Sequence, residues 1–61
     1  MSNITKLAFK FRDWFNSDKF PEDLETADVE DCVLAWADYS ETDLGDNFDA
    51  VCERIVELGI C

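Results

Sequence analysis

Apolar residues recur three and four positions apart in three separate stretches of this chain, with short polar breaks between them. In the first stretch Ile4, Leu7, Ala8, Phe11, Trp14 and Phe15 fall at i, i+3, i+4, i+7, i+10 and i+11. That is the stripe a helix of about 3.6 residues per turn presents on one side. A strand would use the alternation of Leu7, Phe9 and Phe11, but Trp14 and Phe15 break it. Val29, Cys32, Val33 and Trp36 repeat the helical spacing, with Leu34 and Tyr39 off the main stripe. Phe48, Val51, Cys52, Ile55 and Leu58 repeat it again. The spacing predicts helices over about 4–15, 27–39 and 47–58.

The polar breaks carry suitable stop and start residues. Ser2 or Asn3 can cap the first helix, Thr26 the second, and Asp46 or Asn47 can start the third. Phe20 precedes Pro21, which disfavours helical geometry at Phe20 and suits Pro21 to a helix start, so an extra helical turn is expected near 21–25. Gly59 fits a left-handed C-terminal cap, with Ile60 placed for the apolar contact that accompanies one. The expected fold is therefore all-α, a small antiparallel three-helix bundle formed by residues 1–61 as one acidic domain.

Size and composition narrow the function classes. A chain of 61 residues buries only about 60% of the surface its unfolded form exposes, which leaves little for a deep cleft. It has no histidine, so the usual proton shuttle near neutral pH and the commonest metal ligand are both missing. Neither an enzyme, nor a cofactor, nor a metal site is expected. A hydrophobic content of 48% is too high for a chain kept disordered by charge. No run of about 20 apolar residues spans a bilayer, and the N-terminus lacks the order of a signal peptide. Three cysteines, at 32, 52 and 61, form no close pair, which argues for a reducing compartment. A cytoplasmic setting is expected, the host cytoplasm if the chain is phage-encoded.

Several motif readings fail on specific residues. A twelve-residue calcium loop begun at Asp38 puts Asp43 where glycine is required, and one begun at Asp43 puts Phe48 there. Asp43-Leu44-Gly45-Asp46-Asn47-Phe48-Asp49 is similar to the segment around the prosthetic-group serine of acyl carrier proteins. The similarity covers seven of 61 residues and needs a one-residue deletion. It sets Asn47 in place of the serine, and Asn47 cannot accept a phosphopantetheine. Cys32 and Cys52 lie on apolar stripes and are expected in the core as small hydrophobes, whereas Cys61 is expected to be exposed. The first helix has an apolar side beside Lys6, Lys10 and Arg12, as in-plane membrane helices do. A chain this short needs that apolar side for its own core, and its cations can then lie against the acidic remainder.

The charge distribution is the informative feature. Residues 1–20 hold Lys6, Lys10, Arg12 and Lys19 against Asp13 and Asp18, whereas residues 21–61 hold thirteen carboxylates against Arg54 alone. Asp46, Asp49, Glu53 and Glu57 follow one another at +3, +4 and +4, a single stripe on the third helix. Asp28, Asp31 and Asp38 lie on the side of the second helix away from Val29, Val33 and Trp36. Like charges at i, i+4 cost a helix about 0.2–0.5 kcal/mol per pair. The formal charge of −10 also exceeds the magnitude of roughly 2–8 that keeps a small domain dissolved. Duplex DNA carries one charge per about 1.7 Å of axis, so this density approaches that of DNA.

These features predict an acidic inhibitor or interaction protein that blocks the basic, nucleic-acid-binding surface of a partner protein. In size and charge it resembles the small acidic inhibitors that phages and mobile elements deploy against nucleases, restriction systems, CRISPR effectors or transcription proteins. The expected contact residues are Asp28, Asp31, Asp38, Asp46, Asp49, Glu53 and Glu57. Direct nucleic-acid binding and membrane binding are not expected. The alternative is a small adaptor that meets its partner through exposed aromatic residues, with Phe9 and Tyr39 as candidates, or that forms a homodimer.

Overall fold

The computed structural model describes residues 2–61 and is a three-helix bundle without strands among them. Helix α1 is Asn3–Phe15, α2 is Val29–Tyr39 and α3 is Phe48–Glu57, with short 3-10 turns at Glu22–Leu24 and Gly45–Asn47. The expected helices and the extra turn are all present, and the differences lie at the ends. Ser2 caps α1, its Oγ accepting from the Thr5 N–H at 3.2 Å. Thr26 does not cap α2. Asp28 holds the N-cap position in extended geometry, without a side-chain cap bond, and the helix begins two residues later than the apolar pattern suggests. Asp46 and Asn47 belong to the 3-10 turn, and Asn47 holds the N-cap position of α3 without a side-chain cap bond, so α3 proper begins at Phe48.

Each helix contributes three residues to the core: Ala8, Phe11 and Trp14 from α1, Cys32, Val33 and Trp36 from α2, and Val51, Cys52 and Ile55 from α3. Phe11 is fully buried and meets the Trp36 ring edge-on with centroids 5.9 Å apart. Phe20, turned inward just before Pro21, packs against Phe15 at 4.7 Å and Trp14 at 5.1 Å. Such aromatic pairs add about 0.5–1.5 kcal/mol beyond the area they bury. The thiol of Cys32 donates to the Leu24 carbonyl at 3.6 Å, fastening the connecting turn to α2.

Two apolar positions depart from the sequence reading. Leu44, in a segment that reads as a polar loop, is buried, while Leu58, the last residue of the third stripe, is 42% exposed. Leu58 lies past the end of α3, and its place over the core is taken by Ile60. The backbone turns at Gly59 (φ +73°), so that Ile60 N–H donates to the Ile55 carbonyl at 3.1 Å and Gly59 N–H to Val56 at 3.0 Å. This is the helix end expected from Gly59 and Ile60. Helix α2 closes with the same pair of bonds, Thr42 to Ala37 at 2.9 Å and Glu41 to Asp38 at 3.3 Å, but there the left-handed position is held by Glu41 at φ +56°.

Candidate functional site

All seven carboxylates singled out from the sequence, Asp28, Asp31, Asp38, Asp46, Asp49, Glu53 and Glu57, are exposed. They are distributed over several surfaces. Asp49, Cys52, Glu53 and Val56 succeed one another at i, i+3, i+4 and i+7 down one side of α3, and Val29 and Glu30 face them from the start of α2. Together these six line an open depression of about 310 Å³. Asp38 lies elsewhere, with Glu41 and Asp43 in a second open depression at the C-terminal end of α2. Asp28, Asp31, Asp46 and Glu57 line neither. The expected single stripe of four on the third helix is three on α3, because Asp46 is carried by the preceding turn.

Glu30 was not among the carboxylates picked out from the stripes. It sits in the first turn of α2, where helix polarity alone accounts for an acid, and only the packing of α2 against α3 brings it opposite Asp49 and Glu53. Glu30 and Asp31 open α2 and Asp49 opens α3, so the positive helix ends offset part of their repulsion. Asp38, near the C-terminal end of α2, has no such support.

The cations leave this surface bare. Among the described residues the ion pairs are Arg12–Asp13 at 3.7 Å and Arg54–Glu57 at 3.4 Å. The cations of α1 therefore do not lie against the acidic remainder as expected. Lys6 and Lys10 point to solvent, and Arg12 pairs with its own neighbour while its guanidinium lies 4.8 Å over the Phe9 ring. The apolar side of α1 goes into the core, and the opposite, charged side is turned outward with it. Arg54, the single cation of residues 21–61, is committed to Glu57 and to the hydroxyl of Thr5.

The thiols follow their burial. Burial pushes the Cys52 thiol above its ordinary value, and the charges of Glu30 and Asp49 push it further. Cys32 is raised for the same leading reason, with Cys61, Asp31 and Asp28 adding to it. Low-pKa thiolates are the reactive ones, so both core cysteines are the reverse of nucleophiles. No group of three or more Cys, Asp or Glu among the described residues has the geometry to hold a metal ion. No helix among them is long and apolar enough to cross a membrane.

Comparison with protein-family models, with curated proteins and with solved structures finds no match. The functional reading therefore rests on the surface of this chain itself.

Proposed function

We propose that this chain is a non-enzymatic interaction protein that lays its acidic surface against the basic, nucleic-acid-binding groove of a partner protein and blocks it. The observation that carries this reading is the unneutralised charge. Of the seven carboxylates singled out from the sequence, Glu57 alone has an ion-pair partner among the described residues. Mutual repulsion destabilises the isolated bundle, and a basic partner relieves it. Steering by such a field also speeds association with a basic groove and repels nucleic acid itself. A target among nucleases, restriction proteins, CRISPR effectors or transcription proteins, within a cytoplasm, fits this chemistry.

The aromatic adaptor is the weaker reading. The Phe9 ring is half-buried with Arg12 over it, which leaves Tyr39, 54% exposed beside Trp14. The two readings separate on substitution. Asp49→Asn with Glu53→Gln removes no apolar contact, so the fold stays intact while partner binding weakens and loses part of its salt dependence. Asp18→Asn with Glu22→Gln, also exposed, is the matched control and has little effect. If the first pair changes nothing while Tyr39→Ala abolishes binding, the adaptor takes the place of the acidic blocker.

A further inference from the structure

The depression between α2 and α3 is more than a patch of carboxylates, because its floor is apolar. Val56 is 54% exposed there, the one large apolar side chain of α3 left open to solvent, and it lies with half-buried Val29 and the covered thiol of Cys52. Glu30, Asp49 and Glu53 stand around this floor, no cation lines it, and none of the three is ion-paired among the described residues. A pure phosphate surrogate has no use for an exposed valine between its charges. An occupant complementary to both features is apolar at its centre and cationic at its edges.

Both walls are helices whose backbone groups bond internally, so an extended strand finds no ladder to join and recognition falls to side chains. Asp49 to Val56 spans about 10 Å of helix axis, two turns. Two turns of another helix present one aliphatic residue with basic residues three or four positions to either side, which is the pattern of the floor and rim. The long stems of arginine and lysine can lie on the valines while their heads reach the carboxylates.

We infer that the α2–α3 groove receives an amphipathic cationic helix of the partner, an aliphatic side chain on Val29 and Val56 and Arg or Lys side chains among Glu30, Asp49 and Glu53. This rests on the acidic-surface reading and narrows it to a helix as the element bound. It also divides the affinity into an ionic part that salt screens and an apolar part that salt leaves standing.

The test uses a short synthetic helix with one leucine flanked by arginines at i−4, i+3 and i+4, and a scrambled peptide of the same composition. Binding is followed by amide shifts at Val29, Cys52 and Val56 at low and high salt. The helix is expected to bind and shift those three amides, and the scrambled peptide to bind more weakly. Val56→Thr keeps the branched shape and the fold, and should weaken the helix about five-fold at both salt concentrations. Asp49→Asn with Glu53→Gln should weaken it at low salt and much less at high salt. A thermal melt of each variant confirms that it is folded. If the carboxylate pair matters and Val56→Thr does not, the groove inference is overturned while the acidic-surface reading stands. If Val56→Thr matters and the carboxylate pair does not, both are overturned. Equal binding of the scrambled peptide overturns the helical occupant.

Discussion

Arg54 of α3 donates a hydrogen bond from Nη1 to Oγ1 of Thr5, in the first turn of α1. Thr5 Oγ1 is itself 3.0 Å from the Oγ of Ser2, the cap of α1, and Arg54 Nε donates to Glu57 at 3.4 Å. A polar chain from Ser2 to Glu57 thus ties the start of the first helix to the end of the last, and it consumes the only cation of the acidic part. Arg54→Met keeps the aliphatic stem and removes every donor. The expected loss is about 1 kcal/mol, since the part-buried bond to Thr5 outweighs the exposed pair with Glu57. For a domain of this size that corresponds to a fall in Tm of about 4–8 °C, read from a thermal melt. An unchanged Tm would show that the tie does not hold α3 to α1.

Glu41 occupies at the end of α2 the left-handed position that Gly59 occupies at the end of α3. A side chain with a Cβ is disfavoured there by roughly 1 kcal/mol, and glycine is not. Glu41→Gly also takes one carboxylate away from Asp38 and Asp43. We expect the variant to melt several degrees higher with its helical content unchanged, by circular dichroism. A lower Tm would mean that the Glu41 side chain makes a contact worth more than the strain.

Helix positions were legible in the sequence because the apolar spacing and the capping residues agree with each other, as at Ser2, Pro21 and Gly59. Leu44 was not, because a single leucine in a polar loop has no periodicity, and only the turn after Glu41 carries it back to the core. The exposure of the seven carboxylates was legible from the helix phases. Their division among surfaces was not, since it depends on how α2 packs on α3. For the same reason Glu30 was missed, and so was the valine floor beside it: one stripe shows which residues share a helix side, never what faces them across a groove.

Crowded carboxylates also make a prediction about salt. Exposed charges repel over about 10 Å at 0.1 M salt and over much less at 1 M. Among the described residues most carboxylates lack a cation partner, so added sodium chloride should raise the Tm. A Tm that falls between about 0.05 and 0.5 M salt would indicate that attractive ion pairs dominate, against the bare acidic surface described above.

The buried thiols contribute to the alkaline limb of stability. Cys32 and Cys52 have folded-state pKa values raised above the ordinary 9.0, first by burial. A raised acid favours the folded state fully below its unfolded pKa, and that contribution is lost as pH rises through 9 and beyond. Denaturant titrations at roughly pH 8 and pH 10 should show the wild type losing stability, and Cys32→Ala with Cys52→Ala losing less over the same interval. Native labelling with a thiol reagent should modify exposed Cys61 promptly and the other two slowly. Rapid labelling of all three would contradict their burial.

The central claim is that the acidic surface occupies the place of nucleic acid on its partner, and competition tests it most directly. Partner captured from cell extract on the immobilised protein is challenged with excess duplex DNA at constant ionic strength, so that screening alone cannot release it. The account predicts release in proportion to added DNA, together with failure of the Asp49→Asn, Glu53→Gln protein to recapture the partner. A partner that takes up the DNA while remaining bound to this protein would contradict it.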